Sequence, residues 1–127
     1  MATYRIYLID DDRFLLDMYA VKFRTQGHEV TAFTQGKELL AALKENPAPD
    51  AMLLDIVMPE MDGFEILAEV RKENLAQGTK VIILSNQGQE SDIERAKELG
   101  AAGYIIKASA IPSEVYSETI SIIEKPV

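Results

Sequence analysis

Eight residues, Met52-Leu53-Leu54-Asp55-Ile56-Val57-Met58-Pro59, constrain what this chain can fold into more than any other stretch. The run is apolar except for one carboxylate, and it lies between Pro49-Asp50 and Pro59. A helix would need about ten residues or more, so a bounded run of this length reads as a fully buried strand. Asp55 then sits at the carboxyl end of that strand. In an open parallel sheet this is the edge where ligands bind, in the crevice at the topological switch point. Taken alone, an acid in that place more often merely ends a strand, because polar residues collect in loops.

The rest of the chain repeats the same unit. Tyr4 to Ile9 is a β-rich run that ends in Asp10-Asp11-Asp12, and Phe14, Leu15, Met18, Val21 and Lys22 follow at helical spacing up to Gln26-Gly27. Val30 to Phe33 gives a second strand. Thr34 can cap a helix with Leu39, Leu40 and Leu43 on one face, ended by Asn46-Pro47. After the Asp55 strand, Asp62-Gly63-Phe64-Glu65 has the form of a capped helix start, with Phe64, Leu67 and Ala68 expected to face inward. Lys80 to Leu84 is a continuous buried strand closed by Ser85-Asn86-Gln87-Gly88. Ser91-Asp92-Ile93-Glu94 reads as a capping box, opening a helix that stops at Gly100. Tyr104-Ile105-Ile106 forms a fifth strand ending in Lys107, and Pro112 suits the first turn of a last helix bearing Val115, Thr119, Ile122 and Ile123. Strict alternation of strand and helix implies a parallel sheet with helices on both faces, since parallel neighbours need right-handed crossovers.

Composition narrows the function. At 127 residues the chain is expected to form one domain with one core. No apolar run approaches the ~18 residues of a membrane span. The net charge of −8 argues against broad binding to nucleic acid or anionic membrane and favours cations and basic partners. There is no cysteine, hence no disulfide framework, thiol nucleophile or cysteine zinc site. The first residues lack a signal-peptide pattern, so a cytoplasmic protein is expected.

Asp10 and Asp11 end the first strand, Asp55 the third, Ser85 the fourth and Lys107 the fifth, all at one sheet edge. Three carboxylates gathered there repel one another, and a hard divalent cation such as octahedral Mg²⁺ relieves that repulsion. Asp10-Asp11-Asp12 alone fits a helix cap as well as a metal site. Lys107 alone would be a solvated cation and Ser85 alone a turn residue. Together they form a cup with a cation site and donors for an anion, as phosphoryl transfer onto a carboxylate requires.

Four segments, Leu8-Ile9-Asp10-Asp11-Asp12, Leu54-Asp55-Ile56-Val57-Met58-Pro59-Glu60-Met61-Asp62-Gly63, Ile83-Leu84-Ser85 and Gly100-Ala101-Ala102-Gly103-Tyr104-Ile105-Ile106-Lys107, resemble the receiver domain of two-component response regulators. The resemblance runs in order over nearly the whole chain. It implies one receiver domain over residues 1–127, with the (βα)5 flavodoxin-like α/β fold: a doubly wound, parallel five-stranded sheet in the order 2-1-3-4-5. It further implies Asp55 as phosphoacceptor and Asp10, Asp11 and Asp55 as Mg²⁺ ligands together with the Val57 backbone carbonyl. Lys107 would pair with the phosphate, Ser85 would be the switch hydroxyl and Tyr104 the switch aromatic.

The function implied is phosphorelay signalling. Asp55 would take a phosphoryl group from the phosphohistidine of a sensor histidine kinase or phosphotransfer protein. Such a chain is not an enzyme in the usual sense but a phosphoacceptor that assists its own phosphorylation and dephosphorylation. The modified form would bind a downstream protein or appended effector domain through the fourth helix, fifth strand and fifth helix, with phosphorylation-linked homodimerisation as one expected outcome and no direct contact with nucleic acid or membrane.

Two other functions fit parts of the pattern. A Mg²⁺-dependent phosphohydrolase using Asp55 as nucleophile usually needs a second acid two residues on, where Val57 stands. A receiver-fold docking module without phosphorylation would not need the full set of acids, hydroxyl and lysine. The chain departs from the commoner family pattern at Ala108, where proline is usual, at Asn86, where a small residue is common, and at Val57, which is often polar. His28 reads as a solvated residue at a strand start, and Tyr4, Tyr7, Tyr19 and Tyr116 as packing residues.

Overall fold

The computed structural model describes residues 2–86, 88–107 and 110–125. In these the elements alternate as β1 (Arg5–Ile9), α1 (Arg13–Thr25), β2 (Glu29–Phe33), α2 (Gly36–Glu45), β3 (Ala51–Asp55), α3 (Gly63–Lys72), β4 (Lys80–Ser85), α4 (Glu90–Glu98), β5 (Gly103–Ile106) and α5 (Pro112–Glu124). The strands pair in parallel as one sheet in the order β2-β1-β3-β4-β5. This is the doubly wound flavodoxin-like order that the resemblance implied.

The two-residue period of the strands divides the core in two. Tyr7, Ile9, Met52, Leu54, Val81 and Ile83 face α2, α3 and the Ala96 side of α4. Ile6, Leu8, Leu53, Ile82, Leu84 and Ile105 face α1 and the Val115 side of α5. All five residues of β3 are buried, so Asp55 is delivered by the most enclosed strand of the sheet. Each fully buried Leu or Ile on it contributes about 1.5–3 kcal/mol relative to exposure. No helix among the described residues is long and apolar enough to cross a membrane.

Several local expectations need correction. The spacing of Phe14, Met18 and Val21 is helical, but this stripe faces solvent: Phe14 is 74% and Val21 61% exposed, while Leu16, Tyr19, Ala20 and Phe23 are buried. Ala68 of α3 is exposed, and Ile66 and Val70 take the inward positions beside Phe64 and Leu67. The cap of α2 is Gln35 rather than Thr34. α4 begins at Glu90, so Ser91 lies inside the helix and the expected capping box does not form. The box at α3 does form, with Glu65 N–H donating to Asp62 Oδ1 at 2.8 Å and Asp62 N–H to Glu65 Oε1 at 3.0 Å.

His28 is also not the solvated residue expected. It is 7% exposed and stacks on Tyr4. Its Nδ1 accepts the Tyr4 N–H at 3.1 Å, and its Nε2 lies 3.0 Å from the Tyr116 hydroxyl. The ring thus ties the start of β1 to α5, and burial is tolerated because both nitrogens have partners.

Candidate phosphoacceptor and metal site

The site forms where the strands end. Asp10 directly follows β1, and its N–H donates to the Phe33 carbonyl of β2 at 3.2 Å. Its Oδ1 accepts the Asp12 N–H at 2.9 Å, which folds the triplet into a tight turn. Asp12 caps α1, accepting from the N–H groups of Phe14 and Leu15 at 3.0 and 3.2 Å. The triplet therefore divides its work: Asp12 serves the helix, and Asp10 and Asp11 face the cup. Carboxylate oxygens of Asp10, Asp11 and Asp55 all lie within 4.8 Å of one another, with Asp10 and Asp55 buried and Asp11 exposed.

Lys107, just past β5, reaches across this cluster. Its Nζ lies 2.6 Å from Asp10 Oδ2 and 3.2 Å from Asp55 Oδ1, and all three side chains are nearly enclosed. Burial first, and then the Asp10 charge, raise the Asp55 pKa, Lys107 opposes both, and the net result is about 7. Burial also works against the Lys107 ammonium, but the hydrogen bond and charge of Asp10, then those of Asp55, override it and hold its pKa above the ordinary lysine value. Tyr19, packed beneath, has its hydroxyl pKa raised, chiefly by burial.

The donor chemistry suits a hard cation. Three carboxylates at one mouth offer anionic oxygens and no nitrogen or sulfur ligand, the set that Mg²⁺ selects, and exposed Asp11 leaves room for coordinated water. Val57 lines the same cavity with Leu15 and Asn86, and its side chain is 77% exposed. Such a cup can hold a cation and neutralise an anion arriving on Asp55.

Ser85 is the buried last residue of β4 and pairs in register with Ile106 of β5. Leu84, one residue before it, is the register partner of Asp55. Tyr104 pairs with Ile83 and is half-buried against the α2–α3 side of the core. Asp10, Asp11, Asp55, Val57 and Lys107 thus share one cavity, Ser85 ends the adjacent strand, and Tyr104 stands two residues back from Ile106. Ala108 lies outside the described residues.

Gly63 belongs with the site although its sequence suggested only a helix start. A Cβ there would stand 2.4 Å from the Asp55 carbonyl oxygen. Its N–H donates to the Ile56 carbonyl at 3.1 Å, so α3 presses directly on the backbone of Asp55 and Ile56. Its role lies in a missing side chain, which a search for reactive groups overlooks. Of the four exposed large hydrophobics among the described residues, Val57 lines the cup, Ile111 lines a groove that Lys107 also borders, and Phe14 and Val21 line the neighbouring groove along α1. The α1 groove that includes Phe14, Met18, Val21 and Pro112 continues into a second, lined by Met18, Ile111, Asn86 and Lys107.

Comparison with known proteins agrees with this geometry. The sequence profile of the response regulator receiver domain matches residues 6–115. Among curated proteins, response regulator SaeR of Staphylococcus aureus is 34% identical over 102 residues, which cover 80% of this chain and 43% of that protein. The chain thus spans less than half the length of this relative. Among solved structures, chemotaxis protein CheY4 of Vibrio cholerae superposes with a TM-score of 0.87 at 24% identity, covering 95% of this chain and 99% of that one. A CheY-like receiver domain protein of Methanospirillum hungatei gives 0.85 at 27% identity, covering 97% and 95%.

Proposed function

The chain belongs to the response regulator receiver domains, and on that premise we propose that it relays a signal by accepting a phosphoryl group on Asp55. The observation that carries this is the single ammonium of Lys107 bridging Asp10 and Asp55 inside a three-carboxylate cup. A structural ion pair would not need the third acid, nor an open mouth.

Asp10, Asp11 and Asp55, with the Val57 backbone carbonyl, would hold Mg²⁺, which when bound supplies positive charge to the phosphoryl oxygens. The remaining work falls to the chain itself. A raised pKa keeps part of the Asp55 population protonated near neutrality, and cationic charge in the cup restores the nucleophilic carboxylate. A carboxylate oxygen of Asp55 forms a bond to phosphorus as the phosphorus–nitrogen bond of a donor phosphohistidine breaks. The imidazole leaves with that electron pair and takes up a proton. Lys107 follows the new anion, and Ser85 donates its hydroxyl to it.

Charge-assisted hydrogen bonds contribute about 1.5–3 kcal/mol each. Two of them approach the ~5.5 kcal/mol that carries a population from 1:99 to 99:1. Ser85 and Lys107 both lead into the α4–β5–α5 face, and Tyr104 turns inward as Ser85 vacates space. This face binds the downstream protein, the appended effector domain or a second copy. The phosphodonor, a sensor histidine kinase or phosphotransfer protein of the cytoplasm, docks on the exposed apolar side chains of α1 and the start of α5, because these continue into the cup.

Incubation with acetyl phosphate, read by intact mass, tests the chemistry. One phosphoryl adduct is expected with Mg²⁺ and none in EDTA. Asp55→Asn and Asp11→Ala should abolish it, while Asp12→Asn, which alters a helix cap, should keep most of it. Equal labelling in EDTA, or equal loss in all three variants, would overturn the assignment.

A further inference from the structure

Tyr19 of α1 is 3% exposed, and its ring packs in the core beneath the sheet with Ile6, Leu8 and Leu16. Among the described residues its hydroxyl has no hydrogen-bond partner, although no fully buried side-chain polar atom goes without one. The oxygen is therefore the part of the side chain that reaches open space. That space is the second groove, about 550 Å³, where Tyr19, Asn86 and Lys107 meet the apolar side chains of Leu15, Met18 and Pro112. Leu15, Asn86 and Lys107 also line the cup around Asp55, so they form a border shared by the two. Burial raises the pKa of the Tyr19 hydroxyl, Lys107 lowers it, and Asp10, Asp55 and Asp12 raise it in turn. The phenol thus stays protonated near neutrality, a hydrogen-bond donor within range of the charges in the cup.

Phosphate on Asp55 would form a mixed anhydride of a carboxylic and a phosphoric acid. A donor with the same type of bond exchanges one such anhydride for another at little cost in free energy, whereas a phosphate monoester does not. The groove suits the leaving end of such a donor. Its apolar wall receives a short acyl chain, and the Tyr19 O–H meets a carboxylate oxygen as negative charge develops there. Lys107 is the only cation among the described lining residues and is already shared by Asp10 and Asp55, so the further phosphates of a nucleotide find no counterion.

We propose that this groove is the leaving-group subsite for small acyl phosphates, with Tyr19 as the residue that hydrogen-bonds the departing carboxylate. This rests on the reading of Asp55 as phosphoacceptor. In the step, a carboxylate oxygen of Asp55 bonds to phosphorus as the bond from phosphorus to the donor's acyl oxygen breaks. The electron pair leaves on that oxygen, and the carboxylate departs as an anion that needs no proton. Tyr19 donates a hydrogen bond and keeps its own proton. One donor to a developing oxyanion contributes about 10²–10³ in rate, and a carboxylate spreads its charge over two oxygens, so a smaller factor of about ten is expected here.

Tyr19→Phe keeps the ring in the core and removes only the hydroxyl. Labelling of the full chain in Mg²⁺ is timed by intact mass with two donors: acetyl phosphate, which releases a carboxylate, and phosphoramidate, which releases ammonia and has no oxygen on its leaving group. The ratio of the acetyl phosphate rate to the phosphoramidate rate should fall about ten-fold in the variant. An unchanged ratio would overturn the subsite, whether both rates hold, as for a packing residue, or both fall together, as for a residue acting through Lys107. Absence of an Asp55 adduct from either donor in the wild type would overturn the phosphoacceptor reading, and the subsite with it.

Discussion

Lys107 Nζ stands 3.2 Å from Asp55 Oδ1, a looser contact than the 2.6 Å it makes with Asp10. The ammonium is anchored on Asp10 and only leans on Asp55, the acid proposed to take the phosphoryl group. A phosphoryl group on Asp55 can therefore draw Lys107 toward it without first breaking the anchor. The same arrangement makes the lysine the counterion of two buried carboxylates, and removing it exposes their repulsion.

Lys107→Met should accordingly lower stability in metal-free buffer by about 3 kcal/mol, the usual scale for breaking a buried ion pair. Added Mg²⁺ should then raise the melting temperature of the variant more than that of the wild type, since the two acids are left without their internal cation. Differential scanning calorimetry with EDTA and with Mg²⁺ checks both parts.

The Asp55 pKa sets a pH dependence with a definite sign. Unfolded, the carboxyl ionises near 3.8; folded and metal-free, near about 7. Between those values the folded state keeps a proton that the unfolded state has lost, so stability falls as pH rises from about 4 to about 7 and is level outside that window. Asp55→Asn should remove this slope and be more stable than the wild type at pH 8 in EDTA. Urea unfolding at several pH values measures it, and an unchanged slope in the variant would count against Asp55 as its source.

Gly63→Ala places a methyl group 2.4 Å from the Asp55 carbonyl oxygen. Either α3 or the end of β3 must shift, at a cost of about 1–3 kcal/mol. Labelling by acetyl phosphate should slow in the folded variant, because the displaced atoms belong to the acceptor's own backbone. Labelling at the wild-type rate would show that the approach serves packing alone.

His28→Phe keeps the ring but leaves the Tyr4 N–H without its acceptor, a loss of about 1–3 kcal/mol. Phosphate labelling should be unaffected, since the ring lies at the opposite end of β1 from Asp10. Thermal unfolding and adduct mass together separate the two effects.

Phe14→Ser with Val21→Ser should leave stability within about 0.5 kcal/mol, because both side chains are already exposed. Labelling by acetyl phosphate should be unchanged, and transfer from a phosphorylated kinase or phosphotransfer protein should fall by about ten-fold or more. Equal transfer to variant and wild type would move the donor's footprint elsewhere.

The fold was legible because each strand is short, apolar and sharply bounded. Where a strand ends on a charged or hydroxyl residue, as at Asp10, Asp55, Ser85 and Lys107, the shared edge of a parallel sheet lines those residues up without further information. Orientation of α1 was not legible. Both Phe14-Met18-Val21 and Leu16-Ala20-Phe23 follow helical spacing, and a helix apolar on two sides does not announce which side meets the sheet. His28 was misjudged because its partners, the Tyr4 backbone and Tyr116, are 24 and 88 residues away in sequence. The α4 cap was misplaced because Ser91-x-x-Glu94 satisfies the pattern, yet the cap lies two residues earlier, at Gln89.

The exposed stripe of α1 has a consequence for how such a pathway is wired. The carboxylates and lysine of the cup are dictated by chemistry and would serve any phosphohistidine. Phe14 and Val21 stabilise little and react with nothing, so substitution there is constrained neither by folding nor by catalysis. On the proposed donor footprint, which donor is heard is written in a separate and freely editable set of side chains. A lineage carrying two copies of this domain could insulate one circuit from the other by changing a few positions on one helix, while the signalling chemistry in both stays the same.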